Sequence, residues 1–366
     1  MSPKKKVMIF FGGQSPEHEV SVNSTRNVAA ALDKNKYDFQ LLGISKEGSW
    51  HLFKDASILD KISSVRSHEA ASVSELVTMA NINGKGKLIS LKNPQTQFSF
   101  DIAFPVMHGA LCEDGSIQGL FDLMNLPYVS CGVLGSAVCM DKDVMKRLFR
   151  DAEIPSAKFV VLTPDKPLTF ATLEKELGVP FFIKPANAGS SVGVHKIKSQ
   201  ADFEKNLKDA FHFDRKVLAE TFVAGREVEC SVLGHWNKPR TSVPGQIIPN
   251  HEFYSYEAKY IDPNGAATKI PADLDQTTAQ KVQEWAIKAF QVLCCEGMAR
   301  VDFFVTPKNE VYINELNTLP GFTKISMYPK MWEASGLKYS DLITELVELG
   351  LQEYSRKKAL KTSYIE

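Results

Sequence analysis

An excess of charge of either sign is missing from this chain: 43 Lys and Arg stand against 43 Asp and Glu in 366 residues. Nothing in that balance advertises nucleic acid or a membrane surface as a partner. Long apolar runs are missing too. The run in "MSPKKKVMIFFGGQS" ends at Phe11 after five apolar residues, too few for a signal-peptide core and far from the roughly 20 needed to span a bilayer. Cysteine is sparse, and Cys112, Cys131, Cys139, Cys230, Cys294 and Cys295 show none of the spacings of a metal site. Reduced, mostly buried thiols of a cytoplasmic protein fit them better. There are no internal repeats, no low-complexity tracts and no G-x-x-x-x-G-K-[ST] phosphate loop.

What remains is an ordinary globular composition, 44% hydrophobic and 10% aromatic, in a chain long enough for two or three domains. "KVMIFFGG", the helical pattern "EVSVNSTRNVAAAL" and "DFQLLGIS" make a strand-helix-strand opening, with Gly12 and Gly13 in the tight turn. "DIAFPVMHG" and "PYVSCG" read as further strands around a helix near 116–124, so residues 1–130 form an open α/β layer. Within it, the polar segment 54–97 reads as surface insertions. A second region, 131–224, runs through the helix "DKDVMKRLFRDA", strand "PFFIKPA", a Gly-rich loop, strand "GVHKIKS" and strand "KVLAETFV". The third, 225–366, opens on "REVECSVLG" and ends in helices; its polar stretch 245–270 reads as a long loop of the kind that closes over sites.

Two segments carry chemistry. "RVDFFVTPKNEVYINELN" reads as two strands around a two-residue turn at Lys308 and Asn309, which pairs Asp302 with Glu315 and Arg300 with Asn317. Opposed residues share a face, so three oxygen donors of the type hard divalent cations prefer converge beside a guanidinium suited to phosphate. Plain alternation puts Glu315 and Asn317 on the same side as Val311 and Ile313, where burial is expected. A bare Asp-Arg salt bridge at a sheet end would explain only half of this set. The other segment is "KPANAGSSVGVHKI", in which Lys184 precedes a loop of small residues whose backbone N–H groups can approach phosphate oxygens. Together the two segments point to a nucleoside triphosphate with metal.

The combination resembles the ATP-grasp superfamily and, within it, the D-alanine-D-alanine ligases. "GGQSPEHEVSVNS", "MHGALCEDGSIQG", "MDKDVMK", "IKPANAGSSVGV", "YSYEAKY", "RVDFF" and "NELNTLPGFTKISMYP" carry the likeness over nearly the whole chain. Ala188 and Leu319 depart from the residues common in the family, Glu and Ser.

The resemblance implies an ATP-grasp fold of two subdomains behind the N-terminal α/β domain. It also implies ATP-driven joining of two D-alanines through an acyl phosphate in a cytoplasmic homodimer. By the same resemblance Asp302, Glu315 and Asn317 hold two Mg2+ ions, with Mn2+ as a substitute. Lys142 and Lys184 meet the phosphates, with Ser190, Ser191 and Lys259 nearby; Glu220 and Glu227 serve the nucleoside, whose adenine lies against Thr221, Phe222 and Val223. Glu17 takes the ammonium of the first D-alanine near His108, linked through Ser190 and Tyr260 to the closing loops. Arg300, Gly321, Ser326 and Met327 surround the second D-alanine and the oxyanion. Tyr260 stands where relatives that make D-alanyl-D-lactate carry a histidine, which implies a dipeptide product. The competing readings are another ATP-grasp amino-acid ligase and a noncatalytic nucleotide-binding module; the second is expected to have lost metal ligands that this chain retains.

Overall fold

Among the described residues, three sheets organise the chain. The structure, a computed structural model, describes residues 3–166, 168–250 and 266–364. The first sheet has the order β6 (Gln97–Phe98), β5 (Lys85–Ser90), β4 (Ser74–Ile82), β3 (Trp50–Phe53), β2 (Tyr37–Ile44), β1 (Lys5–Gly12), β7 (Ile102–Pro105). β1 lies parallel to both β2 and β7, and Val7 to Phe11 are wholly buried, as a continuous apolar run between two parallel neighbours requires. β1 ends at Gly12, whose φ is +86° and whose missing Cβ would sit 2.3 Å from the Ile44 carbonyl oxygen. Only glycine fits that approach. The chain then enters the helix His18–Ala31, which carries Glu17 at its start.

Two expectations for this layer change. Segment 54–97 is not a set of surface insertions: β4 and β5 pair over Val77↔Ser90 to Ile82↔Lys85 and extend the sheet antiparallel from β3. Polar residues hid them because the burial pattern of β4 is mostly exposed or intermediate, as expected near a sheet edge. "PYVSCG" is not a strand; Tyr128 makes a single parallel bridge to Ala103.

The second sheet runs β10 (His195–Ile197), β9 (Phe181–Pro185), β11 (Val217–Thr221), β8 (Phe159–Leu162), all antiparallel. Its apolar face packs on the helices Phe170–Leu177 and Gln200–Phe213 through Leu173, Phe181, Phe203 and Ala210. The third sheet runs β15 (Ala266–Lys269), β14 (Gly245–Pro249), β12 (Arg226–His235), β16 (Gly297–Val305), β17 (Val311–Asn317), with β13 (Lys238–Thr241) on β12. Of the long loop expected over 245–270, the two ends instead pair as β14 and β15; residues 251–265, with Lys259 and Tyr260, lie outside the described residues.

The helix Lys142–Asp151 connects the layers. Asp141 caps it, accepting from the N–H groups of Asp143 and Val144 at 3.1 and 3.2 Å, and is itself held by Lys216 at 2.6 Å. Such a cap contributes about 1 kcal/mol, and here it fixes the helix start where Lys142 meets the cleft. At the other end of the chain, the helix Tyr339–Lys358 buries Leu342, Ile343, Leu346 and Val347 in the same core as the first sheet.

Candidate active site

The β16–β17 hairpin meets the expected pairing by an unexpected route. Its connection is three residues, Pro307 to Asn309, closed by Thr306 N–H donating to the Glu310 carbonyl at 2.9 Å, with Asn309 at φ +59°. Near the turn Val305 faces Val311 and Phe303 faces Ile313, but beyond the register shift Asp302 faces Glu315 and Arg300 faces Asn317. Asn314 is the extra residue, a β-bulge. It also reverses the phase of the strand: Val311, Ile313 and Leu316 enter the core with Val301 and Phe303, while Glu315 and Asn317 turn to the open face with Arg300 and Asp302. The conflict between burial and charge at Glu315 thus disappears.

Across this face β12 adds another carboxylate, since Glu229 pairs with Asp302. Three acidic residues therefore stand abreast on adjacent strands, where they would repel without cations. Arg300 grips Asp302 through two hydrogen bonds of 2.7 Å and reaches Glu229 at 3.2 Å. Burial opposes its charge, but Asp302 and Glu229 outweigh burial and hold the guanidinium firmly protonated. Lys142 Nζ lies 3.2 Å from Glu315 and donates to the Ala188 carbonyl at 2.8 Å. That contact uses backbone, so the family departure at Ala188 does not remove it.

Lys184 projects from β9, bonded to Glu220 of β11 at 2.8 Å and to Asn314 at 3.2 Å. The Asp-Arg salt bridge expected as the simpler reading is present, but inside this larger alternation of charge.

The opposite wall belongs to the first layer and the small-residue loop. Ser190 Oγ donates to Glu17 at 2.5 Å from a left-handed backbone, φ +53°, with Ser191 likewise at +59°. His108 is buried; its Nδ1 donates to the Leu319 carbonyl at 3.0 Å and stands 3.8 Å from Glu113. Burial pulls the His108 pKa down, but Glu113, Glu17 and the Leu319 carbonyl pull harder and raise it. Burial likewise raises that of Glu113.

The segment after β17 is tied to the first helix, with Phe322 N–H donating to Ser24 at 3.2 Å and Asn27 donating to the Phe322 carbonyl at 3.1 Å. A Cβ at Gly321 would meet Ser326 Oγ at 2.7 Å, so a side chain there would displace the Ser326 hydroxyl. Ser326 Oγ in turn accepts from Thr323 N–H at 3.0 Å just before the helix Met327–Ala334.

One cleft of about 1140 Å³ joins these walls, of the size that encloses a nucleotide and small substrates. Glu17, His108, Lys142, Lys184, Ser190, Ser191, Glu220, Thr221, Phe222, Val223, Glu227, Arg300, Asp302, Glu315, Asn317, Gly321, Ser326 and Met327 all line it. Lys259 and Tyr260 are outside the described residues. Sequence reasoning missed Glu113, Lys146, Glu229 and Asn314. Lys146 stood one helical turn from Lys142 in "DKDVMK", and Glu229 two residues from Glu227 on one strand face; both signals were readable.

Two antiparallel sheets enclosing a cleft of lysines, carboxylates and a small-residue loop, behind an α/β layer, define an ATP-grasp ligase architecture. The D-ala D-ala ligase N-terminus family matches residues 6–131 and the D-ala D-ala ligase C-terminus family residues 148–348. A D-alanine–D-alanine ligase of Oceanobacillus iheyensis is 48% identical, over 98% of this chain and 99% of its own. The solved D-alanine-D-alanine ligase of Coxiella burnetii aligns with TM-score 0.87 at 37% identity, covering 97% of this chain and 96% of that one. One from Bacillus anthracis, complexed with ATP, aligns with TM-score 0.71 at 25% identity over 96% and 99%. The chain belongs to the D-alanine–D-alanine ligase family.

Proposed function

We propose that this chain joins two D-alanines to D-alanyl-D-alanine with conversion of ATP to ADP and phosphate, supplying the dipeptide of peptidoglycan precursors. The observation that carries this reading is the single cleft in which Glu17 and the 318–326 segment face Arg300, Asp302, Glu315 and Asn317 across Lys142 and Lys184. Glu17, steadied by Ser190, takes the ammonium of the first D-alanine and aims its carboxylate inward. An oxygen of that carboxylate bonds to the γ-phosphorus while the β–γ bridging bond breaks, and ADP leaves; Lys142 and Lys184 balance the phosphate charge. The uncharged amine of the second D-alanine then forms the C–N bond as the C–O bond to phosphate breaks, and the proton lost from the nitrogen leaves with the phosphate. Its carboxylate is held at Ser326 and Met327. Arg300 and the Gly321 N–H stabilise the oxyanion, and losing one such donor lowers the rate by ~10²- to 10³-fold.

The donor set of Asp302, Glu315 and Asn317, two carboxylates and an amide oxygen on one sheet face, fits a hard divalent cation. We assign it two Mg2+ ions, replaceable by Mn2+, which when bound would neutralise charge on the transferring phosphate. Glu220, Glu227 and the 221–223 backbone take the nucleoside. In this reading residues 1–130, 131–224 and 225–366 act as the first-substrate, nucleotide and metal units of a cytoplasmic homodimer. Phosphate release from ATP and Mg2+ with D-alanine, L-alanine or D-lactate, singly and in pairs, tests the function. D-alanine alone is expected to suffice; comparable release with L-alanine, or ester as the main product of the D-alanine and D-lactate pair, would overturn it.

A further inference from the structure

Lys146 is wholly buried, with 0% exposure, and lies behind the cleft wall rather than on it. It sits one turn after Lys142 on the helix Lys142–Asp151, so both side chains point the same way. Its ammonium is 3.2 Å from Glu220 Oε1. Glu220 Oε2 is held by Lys184 at 2.8 Å, and Glu220 does line the cleft. A buried ammonium is expensive unless its charge is used. Burial alone would push the Glu220 carboxyl up, yet Lys146 first and Lys184 second bring it below the ordinary range. Lys184 lies on the cleft surface, where a nucleotide phosphate competes for it; Lys146 cannot be drawn away in that manner.

We propose that Lys146 is a positioning residue for nucleobase selection: from behind the wall it keeps Glu220 ionised and oriented, so that Glu220 accepts a hydrogen bond from a 6-amino purine and rejects a 6-oxo purine. This rests on the reading of Glu220 as a nucleoside contact. An ionised carboxylate has only acceptor oxygens, so it pairs with an amino group and repels a carbonyl. Without Lys146, Glu220 keeps one counter-charge shared with the phosphates, takes up a proton more readily, and gains a donor that a 6-oxo group can use. The groups facing Lys146 are Glu220 on β11, Lys184 on β9 and Glu315 on β17. Burial, the largest influence, brings the Lys146 pKa down to about 8 against the upward pull of Glu220.

The test compares ATP with inosine triphosphate, which carries oxygen in place of the 6-amino group, in the full-length enzyme. Lys146→Met should raise the KM for ATP about ten- to a hundredfold, the range for a lost hydrogen bond to a charged group, with kcat changed much less. The ATP preference over inosine triphosphate should shrink by a similar factor. Lys146→Arg, which keeps the charge, should retain the preference. If folded Lys146→Met keeps the wild-type preference while Glu220→Gln loses it, the role of Lys146 is refuted and the nucleoside contact stands. If Glu220→Gln also keeps the preference, the nucleoside reading fails and takes the proposal with it. Should Lys146→Met not fold, Lys146→Gln, uncharged but polar, takes its place: a reduced ATP preference would support the role and an unchanged one would refute it.

Discussion

Glu17 and Ser190 meet across the cleft through one short hydrogen bond, 2.5 Å from Ser190 Oγ to Glu17 Oε1, between residues far apart in sequence. A double-mutant cycle of Glu17→Gln and Ser190→Ala measures what that contact is worth. The Glu17 side chain makes no cap hydrogen bond at the helix start. At the helix start its removal costs the dipole contribution, roughly 0.3–1 kcal/mol, or ~1–4 °C in Tm. In substrate use the loss is larger, because a carboxylate bonded to an ammonium contributes about 1.5–3 kcal/mol, equivalent to a ~10- to 150-fold rise in KM for the first D-alanine.

Ser190→Ala should produce part of that loss, and the double variant less than the sum, with a coupling of ~0.5–3 kcal/mol. Initial-rate kinetics that separate the two D-alanine sites, together with the KM for ATP and the thermal midpoint, supply every number. Additive effects, or a loss in ATP use equal to that in D-alanine use, would refute the assignment of Glu17 to the ammonium.

Glu315→Gln should abolish phosphate release while the thermal midpoint stays close to that of the parent, since the amide keeps the shape but weakens cation capture; normal release by a folded variant would remove Glu315 from the metal site. Glu296, outside the cleft beside His235 at 3.3 Å, is pushed up by burial to about 7. The native state then holds a proton that the unfolded chain has already released, so this group lowers stability as pH rises from about 4.5 to about 7 and imposes its full cost above that. Glu296→Gln should accordingly raise the thermal midpoint relative to the parent at pH 8 and lose that advantage near pH 4; a difference independent of pH would contradict the linkage.

How much of this was legible follows local chemistry. The opening strand-helix-strand unit was readable because Val7 to Phe11 are buried without interruption and Gly12 has a backbone only glycine tolerates. The facing of Asp302 with Glu315 was readable as well, although the reasoning assumed a two-residue turn. The three-residue turn moves the register by one, and the bulge at Asn314 moves it back. No propensity marks a bulge of this kind, so the side taken by Glu315 could not be read from alternation. β4 and β5 were missed because weakly buried strands carry little apolar pattern. The spacing of Lys146 from Lys142 was readable, but not its burial or its pairing with Glu220, which lies 74 positions away in the sequence.

The central claim, that the first carboxylate is phosphorylated before the peptide bond forms, predicts the path of a single oxygen atom. D-alanine labelled with ¹⁸O in both carboxylate oxygens, turned over with unlabelled ATP, should deliver one ¹⁸O to each inorganic phosphate released, read by mass spectrometry or by the isotope shift of the phosphorus resonance. Label appearing in AMP, or dipeptide formed with no label in phosphate, would contradict the acyl-phosphate route and with it the roles given to Lys142, Lys184 and Arg300.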